Sequence, residues 1–335
     1  MNTLSAFLVL LLLLSGSIAR AQDIHWSQFD DNPIYQNPGN TGQFNGDIRF
    51  FGNYRDQWRS VTVPFNTINA TVDATLPFNR KVGVGGMLFH DVVGDGQFRT
   101  VELQANVSYL LKLTSDSTHT LRPGANFGLN HRQLNADQFY YDNQFDGVQF
   151  NPALSSNEIF ATDRRSNFSF GIGTIYHYYQ NERFNITGGF AIFNINRPDQ
   201  GFFTTKIQRD RRVNLFANGI YQLNYDWDVL PSMQFSVQGV YREFMIGGRA
   251  KYTLVNRLGD YKAVYGGLFY RNKDAAVLSV GMDYQNWFVG MSYDINFSKL
   301  VPASRLRGGF ELAIRHVLTR FKPKKIVHRI CPDYI

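Results

Sequence analysis

A single cysteine, Cys331, stands in the chain, so neither an intramolecular disulfide framework nor a cysteine-based zinc site is available. No stretch reaches the roughly 18 consecutive apolar residues that a membrane-crossing helix needs, which argues against a helical anchor anywhere. Charge is scarce as well, at 18% of residues, and mean hydropathy is still negative. What fills the space is 29 glycines, 29 phenylalanines and 18 tyrosines, an aromatic load that soluble domains seldom carry.

The one concentrated apolar run, 7–14, is followed by Ser15, Gly16, Ser17 and an Ala19-Arg20-Ala21 site, the layout of a secretion signal spanning 1–21. Gln22 then opens the mature chain, where a lipoprotein would require cysteine. The expected destination is the periplasm, the outer membrane or the medium.

Beyond the signal, apolar and polar side chains alternate with period two in runs of 10 to 14 residues. Between 287 and 297 the odd positions are Trp287, Val289, Met291, Tyr293, Ile295 and Phe297, whereas the even ones include Gly290, Ser292, Asp294 and Asn296. Phe168, Phe170, Ile172 and Tyr176 form a second uncharged stripe, and Val101, Leu103, Ala105, Val107 and Tyr109 a third, facing Glu102, Gln104, Asn106 and Ser108. Lipid on one face and water on the other explains this pattern.

About fourteen strands follow, over 46–59, 66–76, 81–90, 99–113, 120–132, 166–180, 183–194, 212–225, 228–240, 242–254, 261–271, 275–284, 287–297 and 308–319. Every second connection is short, and the opposite set holds the longest loops, 133–165 and 195–211. That parity is the habit of outer-membrane barrels, whose periplasmic turns are tight and whose outer loops are long. The expected fold is all-β, a transmembrane antiparallel β-barrel over 46–320, with both termini on the periplasmic side. An exported β-sandwich is the structural alternative, but it predicts shorter strands and no asymmetry between turn sets.

Residues 22–45 precede the first strand and carry Asn32-Pro33 and Asn37-Pro38 beside Trp26, Phe29, Ile34, Tyr35 and Phe44. Proline removes ladder donors and disfavours helix before it, so the segment reads as ordered but not strand. It is expected to plug the periplasmic mouth or the lumen. Along the first strand Arg49, Arg55 and Arg59 share one parity with Asn53 and Gln57, and Trp58 lies beside them. Pairing of these arginines with Asp23, Asp30 and Asp31 is the expected clamp.

Enzymatic readings find little support. The seven histidines, among them His90, His131 and His177, join no nucleophile motif, and Gly83 to Gly86 lacks the strand-to-helix setting of a phosphate loop. Asp91, Gly94 and Asp95 read as a solvated hairpin, so no metal or cofactor is expected. Formal charge is +7, and the segment 321–335 holds Lys322, Lys324, Lys325 and Arg329, a basic tail. That tail is read as a solvated end or as a docking strip for periplasmic partners or anionic lipid. Phe139, Tyr140, Tyr141, Phe145 and Phe150 in the longest loop are candidates for meeting an exported protein.

The stretch 22–60, QDIHWSQFDDNPIYQNPGNTGQFNGDIRFFGNYRDQWRS, resembles the opening signature of PorP/SprF outer-membrane proteins of the type IX secretion system. The resemblance rests on the Gln-Asp start, His25, Ser27-Gln28-Phe29, both Asn-Pro steps, Gly42, the group 44–47 and Arg55-x-Gln57-Trp58. Cys331-Pro332-x-Tyr334 is similar to the family's ending, whereas Gly39 stands where members often carry alanine. The resemblance implies a Bacteroidota-type component of protein secretion and, in some members, gliding motility. Its implied partners are a secreted adhesin or that adhesin's C-terminal sorting domain, other type IX components on the periplasmic side, and outer-membrane lipid, with no nucleic acid. A passive or hydrophobic-solute channel is the competing function.

Overall fold

The computed structural model describes residues 23–59, 63–77, 79–94, 96–151, 153–257, 259–298, 301–304 and 306–319. The secretion signal at 1–21 and the basic tail residues Lys322, Lys324, Lys325 and Arg329 lie outside them.

Alternation writes itself into fourteen strands: β1 Ile48–Gln57, β2 Phe65–Thr75, β3 Val82–Val93, β4 Phe98–Tyr109, β5 His119–Gln133, β6 Arg164–Asn181 and β7 Phe184–Phe193. The second half comprises β8 Arg212–Gln222, β9 Trp227–Gln238, β10 Tyr241–Arg257, β11 Asp260–Arg271, β12 Ala275–Tyr284, β13 Trp287–Asn296 and β14 Arg307–Leu318. Leu111–Lys112 continues β4 past Leu110. Each strand pairs antiparallel with its sequence neighbour, and β1 pairs with β14 from Ile48 opposite Leu318 to Asp56 opposite Phe310. That last ladder closes the sheet, so the barrel has no free edge. Among the described residues no helix is long and apolar enough to cross a membrane.

Proline is accommodated where a ladder can spare a donor. Pro231 in β9 faces Gly248 of β10, and on its other side the β8 register steps from Val229 opposite Tyr221 to Ser232 opposite Asn218.

Parity decides which side chains face out. Trp287, Val289, Met291, Tyr293 and Ile295 are exposed on the outer wall, while Phe288, Gly290, Ser292 and Asp294 are buried inside. The stripes Phe168, Phe170, Ile172 and Leu103, Val107, Tyr109 also point outward, with Glu102, Asn106 and Ser108 buried in the lumen. The molecule is therefore apolar outside and charged within, the reverse of a soluble domain.

Connections 76–81, 113–118, 182–183, 223–226, 258–259 and 285–286 share one end of the barrel with the start of β1 and the end of β14. The opposite end carries 134–163, with short 3-10 turns at Ala136–Gln138 and Asp142–Gln144, and 194–211. Not every connection there is long: 239–240 and 272–274 are as tight as the turns at the other end. The two long loops pack on each other, with Phe160 stacked on Phe203 at 5.0 Å and the Ala161 amide donating to the Phe202 carbonyl at 2.9 Å. Phe202 and Gln200 are buried, so loop 194–211 folds over the barrel mouth.

Outward parity makes a depth-dependent prediction. Val280, near the middle of β12 and 60% exposed, should cost ~2–4 kcal/mol on change to arginine, whereas Tyr225→Arg in a turn should cost ~0–1 kcal/mol. Urea unfolding in lipid vesicles measures both, and equal costs would contradict a lipid-facing β12.

Candidate functional site: the occupied lumen

The segment before β1 runs inside the barrel along its length. Its path is set by two Asn-Pro steps, each placing proline at the first position of a short turn: Pro33–Gln36, one α-helical turn (α1), and the 3-10 turn Pro38–Asn40. Between them Asn37 is fully buried; its side-chain oxygen accepts the Gly39 amide at 2.8 Å, and its amide nitrogen donates to the carbonyls of Thr174 and Phe190 at 3.1 and 3.0 Å. One side chain thus caps the turn and bridges β6 and β7. The wall opposite must be bare: a Cβ on Gly124 would sit 2.6 Å from the Gly39 nitrogen, and one on Gly173 2.4 Å from the Asn37 side-chain oxygen.

Aromatic anchors fasten the segment to opposite walls. Trp26 is buried against Met87 and Phe89 of β3, and Phe29 against Met245, Phe269 and Val277 of β10, β11 and β12. The segment therefore spans the lumen's width.

A charged cluster holds the middle. Glu311 of β14 accepts the Ser27 and Gln28 amides at 2.7 and 3.0 Å and pairs with Arg55 of β1 at 2.9 Å. Asp294 of β13 takes Arg55 at 2.8 Å and Arg271 of β11 at 2.9 Å, and accepts the Ser27 hydroxyl at 2.6 Å. The Ser27 oxygen in turn accepts from Arg271 at 2.7 Å and from Arg55. One donor and two acceptor sites use the full capacity of a hydroxyl, so its position is determined from three sides. Two arginines balance two carboxylates in a volume without water access, which makes the cluster costly to break from either side.

Flanking contacts extend the clamp. Arg249 of β10 grips Asp31 at 2.6 Å and Asp30 beside it. Nearer the turn end, Arg49 chelates Asp73 of β2 at 2.8 and 2.9 Å and donates to the Asn40 and Gln43 carbonyls. Asp73 also accepts the Gly42 amide at 2.7 Å. At the other end Asp23 pairs with Arg209 of the folded-over loop at 2.8 Å, and its amide donates to Gln238 at 2.7 Å.

The titratable groups of the segment report these surroundings. Burial raises the Asp23 carboxyl, but Arg209 and Arg212 outweigh it and hold it at about 2. His25 is kept neutral, well below its ordinary value, by burial and by the charges of Arg271 and Arg55. Burial pushes Asp31 above its ordinary value against the pull of Arg249.

The structure brings Asp30, Asp31, Asn32, Pro33, Asn37, Pro38, Arg49 and Arg55 into the lumen, but the expected partnerships differ. Asp30 and Asp31 meet Arg249, not Arg49, Arg55 or Arg59, because parity aims a first-strand arginine inward without saying which lumen residue lies at its depth. Arg59 pairs with Asp56 three residues back, its side chain largely exposed. Trp58 stacks on Phe65 at 5.8 Å at the loop end of the lumen. Asp23, too, lies beside Arg209 and the end of β9, at the loop end, where the sequence placed the segment's start at the turn end. In the longest loop Tyr140 packs edge-on to Phe150 at 4.8 Å and stays 78% exposed, Phe145 is exposed, and Phe139 meets Tyr141 at 6.2 Å.

Sequence reasoning missed Arg209, Arg249, Arg271 and Glu311 as parts of the clamp. For Arg249, Arg271 and Glu311 the available signal was a charge at inward parity in a crossing strand, which has to find a partner inside; Arg209, in loop 194–211, carried no such signal. Among the described residues no group of His, Cys, Asp or Glu is arranged to hold a metal.

Residues 18–316 match the family described as Type IX secretion system membrane protein PorP/SprF. No curated protein matches the sequence. Among solved structures, the Ralstonia pickettii toluene transporter TbuX is 12% identical, with 90% of this chain and 96% of that one covered at a TM-score of 0.50. The Pseudomonas putida toluene transporter TodX is 10% identical, covering 88% and 94% at 0.51. A Pseudomonas aeruginosa FadL homologue is 11% identical, covering 90% and 95% at 0.50. These likenesses show a shared barrel fold.

Removing Arg55 should leave Asp294 and Glu311 buried without compensation, so Arg55→Gln is expected to cost ~3–5 kcal/mol in urea unfolding. A loss under about 1 kcal/mol would remove the cluster from the role of clamp. For Asp23 the depressed carboxyl contributes stability that is complete above about 3.8 and disappears as pH falls through about 2. Asp23→Asn should therefore lower the unfolding midpoint at pH 6 and leave it unchanged below pH 2; an equal loss at both would break the linkage.

Proposed function

The chain belongs to the PorP/SprF family of type IX secretion system membrane proteins, and from that premise we propose that it supports the secretion or surface attachment of a partner adhesin as a plugged barrel in the outer membrane. The observation that carries the reading is the filled lumen. A buried Arg55, Asp294, Glu311 and Arg271 cluster, with the Trp26 and Phe29 anchors on opposite walls, makes the interior a scaffold and leaves the work to the two rims. A passive or hydrophobic-solute channel would need this segment to leave its place.

On this reading the exposed aromatic loop offers the docking surface for the exported protein or its C-terminal sorting domain. Phe139, Tyr140, Tyr141 and Phe145 are the residues of choice, since aromatic rings dominate contact energy at protein interfaces. The basic residues Lys322, Lys324, Lys325 and Arg329, outside the described residues, are proposed to meet periplasmic components of the same machinery. The link to gliding motility belongs to the same proposal.

Deletion of the gene should abolish surface display of one secreted protein, scored by surface proteolysis, while small-solute uptake continues. Replacing Tyr140 and Phe145 together by alanine should reduce crosslinking to that protein at least tenfold without loss of the barrel from the membrane. Normal display in the deletion strain would reject the reading.

A further inference from the structure

Between the N-terminal segment and the folded-over loop, the loop half of the lumen retains a cavity of about 320 Å³. The lining comes mainly from β2 to β7, whereas the packed cluster around Ser27 sits against β1, β11, β13 and β14, so this space is distinct from it. Its volume falls at the lower end of small-molecule sites, roughly 300–1,000 Å³, and admits on the order of ten non-hydrogen atoms.

The lining has two characters. Ile24, Met87, Phe89, Phe98 and Phe193 supply an apolar and aromatic wall. Arg132 of β5 supplies a cationic end: it is about nine-tenths buried, donates to the Gln200 side chain at 2.6 Å and lies 5.6 Å from the centre of the Phe98 ring. Its Nε has no hydrogen-bond partner, and among the described residues no carboxylate lies within ion-pair distance of it.

Neighbouring acids are already engaged. Glu102 accepts from Gln104, Asn130 and Arg209; Asp23 is held by Arg209 and Asn194; Asp91 accepts the Thr67 hydroxyl at 2.7 Å. Arg209 is satisfied by Asp23 and Glu102, and Arg212 lies sandwiched over the Tyr35 and Phe193 rings at 4.1 and 4.3 Å. Arg132 is thus a buried guanidinium lining an open volume with a neutral acceptor, Gln200, and no ion-paired counter-ion among the described residues, an arrangement that favours an added anionic acceptor.

We propose that this cavity binds a small amphiphilic acid, its carboxylate on Arg132 and its aromatic or short hydrocarbon body against Met87, Phe89, Phe98 and Phe193. A bidentate pair with the guanidinium supplies orientation, and the apolar wall supplies affinity. Trp58, Val93, Asn194 and Arg209 at the loop-end rim of the cavity mark the side from which the acid enters. The inference rests on the filled lumen and not on the adhesin reading, so either can fail alone.

The test uses the full mature chain in lipid nanodiscs, titrated by fluorine NMR with 3-(4-fluorophenyl)propionate and with the uncharged 3-(4-fluorophenyl)propan-1-ol. Saturable binding of the acid at least tenfold tighter than the alcohol is expected. Arg132→Gln should remove that preference and leave alcohol binding in place, and Met87→Trp should fill the space and abolish both. Heat-modifiable mobility on gels identifies variants that retain the barrel, and Phe98→Leu provides a milder second variant expected to weaken both probes. Equal binding of acid and alcohol, absence of saturable acid binding, or an unaltered preference in folded Arg132→Gln would overturn the proposal.

Discussion

The ladder between β1 and β14 is the contact on which the molecule depends. Without it the sheet has two free edges in a solvent that offers no hydrogen bonds; with it, each crossing strand has a partner on both sides. Closure also creates an inside. Every second residue of fourteen strands is then turned into a space shielded from lipid and from bulk water, and whatever polarity those residues carry has to be balanced there.

The N-terminal segment is how this chain balances it. Arg249 would face the lumen unpaired without Asp30 and Asp31, and the Arg55, Arg271, Asp294 and Glu311 cluster would lack the Ser27 hydroxyl and two backbone amides that complete it. Apolar contact adds direction, because Trp26 and Phe29 bury on opposite walls and brace the segment across the lumen. Plug and wall are one charge-balanced core, and against it Arg132 stands out as a cavity-lining buried cation without an ion-paired carboxylate among the described residues.

Much of this architecture is legible in the sequence alone. Period-two alternation placed every strand to within a few residues, since a one-residue slip would turn Trp287, Val289 and Met291 into the lumen and Asp294 into lipid. Paired Asn-Pro steps marked 22–45 as ordered but not strand, and Pro33 and Pro38 do open the short turns there. The partners of Asp30 and Asp31 were not legible: Arg249 lies more than two hundred residues away, and barrel stagger, not sequence spacing, sets which strand positions share a depth.

By itself the sequence determined the strand count, the inward and outward faces and the ordered character of the lead-in, because each of these is a local property of side-chain period or backbone chemistry. Only the tertiary structure decided that the segment climbs to the loop end, that loop 194–211 returns Arg209 to meet Asp23, and that a cavity survives beside Arg132. Those features arise from pairings between residues brought level by closure and tilt of the barrel, and no local pattern encodes the depth at which distant strands meet.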